Sequence, residues 1–324
     1  MIGGEHELLS DNLYYGVTNS GRSSLRWAIQ SMGLHHKKIL IPDFICQIVI
    51  DVLIEQGVSF HFYHVHSDLS IVLDSHSLLD VDAVYLVRYF GAQTNSLDNV
   101  LATLRIPFIY DDVFGISRPL FDHSCHWIYF NSLRKITPIA DYSQLISNHT
   151  LANVNLEQLG CFSKLKYQAK DLKAKHLVDG TGDESSYLVP FDAAEQLLDA
   201  SSPRIYQPSG RSVVLANLFY STVDQEILHR QNNLELAKYL FPNHFYLDIL
   251  PAFPSFLPII LSKRDFIRKQ LMKHQVFLAV HWPRLSITYN QLSDCLLSLP
   301  LDSRYSQLDI ERVCGLIMEY SDEL

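Results

Sequence analysis

Three short stretches carry residues whose types and spacing could do chemistry. The first is Val17-Thr18-Asn19-Ser20-Gly21-Arg22-Ser23-Ser24, where a glycine and several hydroxyls precede a run spaced for a helix through Leu25, Ile29 and Met32. A helix that starts there has free first-turn N–H groups, which together with the helix dipole suit a phosphate. An ordinary capped helix fits the same residues, and no P-loop or GxGxxG pattern decides between the two. The second stretch is Asp111-Asp112, directly after Phe108-Ile109-Tyr110. Two carboxylates at a strand end can bind a cation, perturb each other's pKa, pair with a protonated ring nitrogen, or form a solvated turn. The third is Ser132-Leu133-Arg134-Lys135, after Trp127-Ile128-Tyr129-Phe130. A lysine there could touch a phosphate, lie on the surface or attack a carbonyl to form a Schiff base. The last role requires loss of its proton, which a neighbouring cation such as Arg134 or desolvation favours.

Other candidates point elsewhere. His61, His64 and His66 fall on one predicted strand, with His64 and His66 on one face, and His123 and His126 lie in a later loop. Nothing resembles HExxH and no carboxylate stands at firm ligand spacing, so structural histidines are expected and no metal site. The five cysteines (Cys46, Cys125, Cys161, Cys295 and Cys314) form no CxxC pair, which suits reduced thiols. A nucleophilic Cys46 or Cys125 would need a histidine partner brought in by the fold.

Short apolar runs must position these groups. They are Lys38-Ile39-Leu40-Ile41, residues 58–65, Ala83-Val84-Tyr85-Leu86-Val87, Pro107-Phe108-Ile109-Tyr110 and Trp127-Ile128-Tyr129-Phe130. Helix-compatible stretches at 44–56 and 95–104 separate some of them. Apolar strands alternating with helices predict a mostly parallel sheet covered on both faces, with ligands collecting at the strand ends. From about residue 160 the pattern turns helical, over 162–178, 184–200 and 211–241, with Gly180-Thr181-Gly182 as punctuation. A strand at 256–261, a helix at 264–274, a strand at 276–280 and a last helix at 306–321 complete the reading.

Bulk properties set the limits. A chain of 324 residues that is 48% hydrophobic can build a large core or two domains sharing an interface. A net charge of −9 disfavours a nucleic-acid surface. Residues 1–7 show no secretory signal, and the apolar stretch 39–54 is broken by Asp43, Gln47 and Asp51, so no membrane span and a cytoplasmic protein are expected.

Taken in order, Ser20-Gly21-Arg22-Ser23-Ser24-Leu25, Ile41-Pro42-Asp43-Phe44-Ile45-Cys46, Tyr89-Phe90-Gly91, Ile106-Pro107-Phe108-Ile109-Tyr110-Asp111 and Ser132-Leu133-Arg134-Lys135 form a series. Arg230-Gln231-Asn232-Asn233, His281-Trp282-Pro283 and Leu299-Pro300-Leu301-Asp302-Ser303-Arg304-Tyr305 continue it. The series resembles the DegT–StrS family of PLP-dependent nucleotide-sugar aminotransferases, of aspartate-aminotransferase fold type I, in a divergent branch. The resemblance implies an α/β PLP-transferase fold. Its large cofactor-binding domain (1–205) would hold a mostly parallel sheet of the seven-stranded type, covered by helices. A smaller C-terminal α/β domain (206–324) would follow, including a long connecting helix at about 211–241. Lys135 would carry the Schiff base to pyridoxal 5'-phosphate, and Asp111 would face the pyridine nitrogen. Ser20, Gly21, Arg22 and Ser132 would meet the phosphate, and Phe44 would lie against the ring. A homodimer with sites at the subunit interface, a small-molecule amino donor and a sugar-nucleotide-like acceptor are implied as well.

The sequence also departs from the family's pattern. A Glu-Gly-Gly-like turn usually follows the lysine, where this chain has Ile139-Ala140-Asp141-Tyr142-Ser143-Gln144. The residue three after the ring aspartate is commonly His or Gln and is Phe114 here, and an ungapped alignment can place Arg134 at the lysine position. Two functions are therefore expected to compete. One is aminotransfer through Lys135. The other is a fold-retaining, PLP-poor binding or partner protein in a surface-polysaccharide pathway.

Overall fold

The computed structural model describes residues 11–121, 125–180 and 183–322. The readings made on residues 1–7, on His123 and on Thr181-Gly182 fall outside them. In chain order come β1 (Tyr14–Thr18), α1 (Gly21–Ser31), β2 (Lys38–Pro42), α2 (Gln47–Glu55), β3 (Ser59–Tyr63), α3 (Ser75–Leu79), β4 (Ala83–Val87) and α4 (Asn95–Thr103). Then follow β5 (Phe108–Asp112), β6 (Trp127–Asn131), β7 (Ser143–Ser147), β8 (Glu157–Gln158), α5 (Gly160–Asp179), α6 (Ser185–Asp199), β9 (Tyr206–Gln207), α7 (Gly210–Ser221) and α8 (Val223–Leu240). The chain ends with β10 (Phe256–Ile260), α9 (Arg264–Lys273), α10 (Leu292–Cys295), β11 (Leu296–Pro300) and α11 (Gln307–Asp322).

The main sheet has seven strands in the order β1-β7-β6-β5-β4-β2-β3. The pairings from β6 across to β3 are parallel, and β7 runs antiparallel to both of its neighbours. Every residue of β4, β5 and β6 is buried, as expected of central strands covered on both faces. Register sets what meets at the strand ends. Val87 pairs with Asp111 and Asp111 with Phe130, so β4, β5 and β6 finish side by side.

The helix α1 sits over that edge because a chain of hydroxyls fixes it there. Thr18 Oγ1 shares a hydrogen bond with Ser24 Oγ at 2.7 Å, Ser24 Oγ shares one with Ser143 Oγ at 2.7 Å, and Ser143 donates to the carbonyl of Asn131. Arg26 adds a bidentate pair with Glu55 at 2.8 and 2.7 Å, which ties α1 to α2.

Most apolar side chains of the sheet and of α1, α2 and α4 form one core cluster, to which Ile205, Phe253, Trp282 and Leu296 also contribute. A second cluster packs α8, α9 and α11 on β10 and β11 through residues such as Leu234, Leu257, Ile267, Leu297 and Ile310. Among the described residues no helix is long and apolar enough to cross a membrane.

Several expected elements differ in their bounds. The helix anticipated over 44–56 starts only at Gln47, because Cys46 is extended (φ −81°, ψ 138°), and Tyr89 donates to the Phe44 carbonyl. The long helix anticipated over 211–241 is broken at Thr222, whose backbone leaves helical geometry (φ −122°, ψ 11°) and whose hydroxyl bonds back to Leu218 O at 3.1 Å. No strand forms over 276–280. A single bridge, Ala279 to Ser298, is what remains of it. The strands β1, β7 and β11 were not anticipated, being short and carrying polar or glycine residues within their runs.

The bulky 139–144 segment has a structural role. Asp141 is 1% exposed and accepts hydrogen bonds from the Ser209 N–H and the Ser209 hydroxyl, both at 2.9 Å, and from the hydroxyls of Ser163 and Ser212. One carboxylate thus ties the approach to β7 to α5 and to the start of α7. Asp141→Ala would strand these donors in the interior. A loss of about 3 kcal/mol in unfolding free energy is expected, read by urea titration with unchanged slope.

Candidate active site

A cleft opens where β4, β5 and β6 end beneath the N-terminus of α1. Gly21, Tyr85, Asp111, Ser132, Lys135 and His281 all contribute to its wall.

Asp111 is the last cleft-facing residue of β5, with 6% of its surface exposed. Tyr85, one strand over and fully buried, donates its hydroxyl to Asp111 Oδ2 at 2.6 Å, and the Val113 N–H donates to Oδ1 at 3.1 Å. Burial raises the Asp111 pKa to about 6, with the Tyr85 and Val113 hydrogen bonds and the charge of Lys135 opposing. Asp112 points to the other face of the sheet. It pairs there with Arg88 at 3.1 Å and accepts from Tyr129 at 3.3 Å, and burial pushes its pKa up to about 7. The two carboxylates therefore serve different environments and do not form a joint cation site.

Lys135 sits in a short 3-10 turn, Leu133–Lys135, that follows β6. Its side chain is exposed to the space of the cleft while protein crowds around it. Loss of hydration lowers its pKa and the charge of Arg134 lowers it further, while Cys46, Glu195 and Asp111 pull the other way. Such an amine gives up its proton more readily than a surface lysine. Arg134 takes a different direction. Its guanidinium forks toward Glu195 at 3.4 and 3.5 Å and lies 5.7 Å from the Phe162 ring, although it also touches the cleft wall. Arg230, from α8, donates to the carbonyl of Ile136 at 2.8 Å and stacks on Phe253 at 4.3 Å, which fixes the backbone just after Lys135.

At the α1 end, Ser20 is the N-cap. Its hydroxyl accepts from Ser23 N at 3.5 Å and donates to Asn19 Oδ1 at 2.8 Å. The first-turn N–H groups of Gly21 and Arg22 have no helical carbonyl to bind and lie at the cleft. The Arg22 guanidinium turns away, to the C-terminal end of α6, where it meets Leu198 O at 3.0 Å and Asp199 at 2.8 Å. Ser132 is buried at the cleft wall.

The structure thus brings Ser20, Gly21, Arg22, Asp111, Ser132 and Lys135 to one cleft, with the Arg22 charge directed elsewhere. Phe44 is not part of the wall. Its ring packs against Tyr89 at 5.3 Å and Trp282 at 5.2 Å, and the next two residues, Ile45 and Cys46, reach the cleft instead. Phe114 is buried against Phe90 and His281.

Three residues of the site had no signal of their own in the sequence. Tyr85 read only as part of an apolar strand. Glu195 read only as a helix residue. His281, which bonds Ser298 Oγ at 2.8 Å and is held neutral by burial and by Lys135 (pKa about 3), belonged to a recognised motif without an assigned role. Among the described residues no group of three or more His, Cys, Asp or Glu side chains could hold a metal ion. His64 instead pairs with Asp43 at 2.6 Å and packs on His66. The five cysteines are free thiols.

The arrangement is that of aminotransferase fold type I, and the solved structures that share it include sugar aminotransferases. A DegT/DnrJ/EryC1/StrS aminotransferase from Brucella abortus superposes with a TM-score of 0.63 at 15% identity, covering 95% of this chain and 86% of the other. PseC of Helicobacter pylori, an aminotransferase involved in pseudoaminic acid biosynthesis, superposes at 0.62 with 14% identity, covering 96% and 87%. Spr1654 of Streptococcus pneumoniae in its PMP form gives 0.65 with 12% identity, covering 95% and 88%. No family model and no curated protein matches the chain in sequence.

The raised Asp111 pKa has a stability consequence. A carboxyl whose pKa is higher folded than unfolded loses stability as the unfolded chain ionises first, so the cost is absent below about pH 4 and complete above about pH 6. Asp111→Asn keeps an acceptor for Tyr85 and removes the charge. In cofactor-free protein the variant is expected to be up to about 3 kcal/mol more stable at pH 8, with the gap closing toward pH 4, as measured by urea unfolding across pH.

Proposed function

We propose that the chain is a PLP-dependent aminotransferase acting on a small-molecule amino donor and a sugar-nucleotide-like acceptor. The observation that carries this reading is the convergence, in one cleft, of an amine with a lowered pKa, a buried carboxylate and a helix N-terminus. These groups fit pyridoxal 5'-phosphate. The free N–H groups of Gly21 and Arg22, with Ser132, suit its phosphate. Asp111, steadied by Tyr85, suits its protonated ring nitrogen. When bound, the cofactor supplies an electron sink for the carbon that bears the amino group.

The chain's own residues do the rest. Lys135 Nζ would hold the cofactor, and as a free amine it would move a proton at the substrate carbon. Arg134, tethered to Glu195, keeps its positive charge beside Lys135 and favours the free amine. His281 offers a neutral hydrogen-bonding ring at a wall where Phe114 offers none. In this reading the cofactor is held by a large part, 1–205, with a smaller part, 206–324, closing the site, in a cytoplasmic homodimer.

Phe114 and the buried 139–144 segment favour the second reading, a fold-retaining protein that binds PLP poorly. Absorbance separates the two. Purified protein given PLP is expected to gain a near-visible band, and borohydride should fix the cofactor on the peptide carrying Lys135. Lys135→Ala should abolish the band, and Arg134→Ala should keep it. A wild-type protein that stays colourless would sink the enzyme reading. A band that survives Lys135→Ala would show that another residue holds the cofactor.

A further inference from the structure

After the bridge at Ala279 the chain runs from His281 to Asn290 without helix or strand. This stretch is buried at its two ends and mostly exposed between them. Trp282 is 6% exposed and Asn290 2%, whereas of residues 283–289 only Leu285 and Thr288 are half-buried and the rest are exposed. A segment held at both ends and free in the middle is a strap. One end of it carries His281 and Trp282 into the cleft wall.

Both ends fasten to the same place. Trp282 lies against the ring of Phe44 at 5.2 Å, within a set of rings that also includes Tyr89, Phe90 and Phe114. Asn290 Nδ2 donates to Asp43 Oδ1 at 2.8 Å and to Val65 O at 2.7 Å, and Asn290 Oδ1 accepts from Leu292 N at 3.0 Å. Asp43 Oδ1 also accepts from Val65 N at 3.0 Å, and its Oδ2 pairs with His64 Nδ1 at 2.6 Å. Asp43 and Phe44 are consecutive, and the next two residues, Ile45 and Cys46, line the cleft. Burying an amide costs free energy that these bonds offset. An apolar side chain would fill the space as well, but a directional amide also fixes which residue the strap meets. Asn290 belongs to none of the sequence motifs and comes to Asp43 across 247 residues.

We propose that Asn290 is a positioning residue of the cleft. Its clasp on Asp43 and Val65 locks the strap to the segment 43–46. The wall formed by Ile45 and Cys46 and the wall formed by His281 and Trp282 then meet a ligand as one rim. Ring packing at Trp282 is non-directional and tolerates sliding, so the amide supplies the register. With the clasp broken, the strap is held mainly at Trp282, and local opening of the rim becomes easier. The rim is built of protein groups alone and needs no cofactor to form. Its consequence for the cofactor rests on the aminotransferase reading above: there the clasp slows escape of the cofactor and limits access of water to Lys135 Nζ, and it takes no part in proton transfer.

The test compares Asn290→Ala with Asn233→Ala in the full chain, without added PLP, by hydrogen exchange read peptide by peptide. Asn233 is a matched control. It is a buried asparagine on α8, outside the cleft wall, and donates to Leu301 O at 3.1 Å and to Tyr305 O at 3.0 Å. Asn290→Ala is expected to speed exchange in 281–292 and in 44–50 alike by about tenfold, the effect of one buried hydrogen bond of ordinary strength on a local opening. Asn233→Ala should leave both peptides at their wild-type rates. Asn290→Asp keeps the size of the side chain but removes the donor, so it should act at least as strongly as Asn290→Ala. Wild-type exchange in Asn290→Asp would overturn the clasp. So would an Asn290→Ala effect confined to 281–292, or equal acceleration by Asn233→Ala. PLP gives a second reading. Loaded Asn290→Ala should lose its near-visible band about tenfold faster on dilution than loaded wild type, with the position of the band unchanged, and equal rates would overturn the positioning role. A wild type that takes up no PLP would remove the enzyme reading and leave the exchange rates to decide the rim.

Discussion

Side chains on a strand alternate between two faces, so the register of β4, β5 and β6 decides which groups meet above the sheet. With Val87 opposite Asp111 and Asp111 opposite Phe130, Tyr85 and Asp111 share one face, and Lys135 follows in the turn beyond β6. A shift by one residue would bring Asp112 to the cleft and bury Asp111 against Arg88. The hydroxyl chain from Thr18 through Ser24 and Ser143 then sets α1 over the same edge. The chemistry of the cleft follows from this alignment more than from any one residue.

How much of this was legible depends on the range of the interactions. The cap at Ser20 is local, and the first helix starts one residue beyond it. The buried strands are continuous apolar runs and stand close to where their residues suggest. The difference between Asp111 and Asp112 was not legible, because it rests on partners 26 and 24 residues away, Tyr85 and Arg88. The same holds for the Arg22 guanidinium, which binds a carbonyl 176 residues further on. Phe44 looked like a ring partner by position, but a tyrosine and a tryptophan from distant segments enclose it. Thr222 interrupts a stretch whose apolar spacing alone reads as one helix.

Arg134 and Lys135 show how adjacent residues acquire opposite environments. A tight 3-10 turn rotates successive side chains by about a third of a circle. One cation therefore reaches α6 and an acid, while the other faces open space beside a buried carboxylate. The pairing with Glu195 lets the guanidinium stay charged in a crowded place, and that fixed charge in turn makes the lysine less willing to hold its proton.

The Asp141 cluster also has a mechanical side. Hydroxyls from α5 and from the first turn of α7 converge on one buried carboxylate at the approach to β7, so these three parts are joined as a single rigid piece. From that anchorage α7 runs outward as an unbroken lever as far as Ser221. Thr222, outside helical geometry, then separates α7 from α8. Beyond it, Arg230 on α8 grips the backbone beside Lys135, so the helix that carries the second apolar cluster is also tied back to the turn at the cleft.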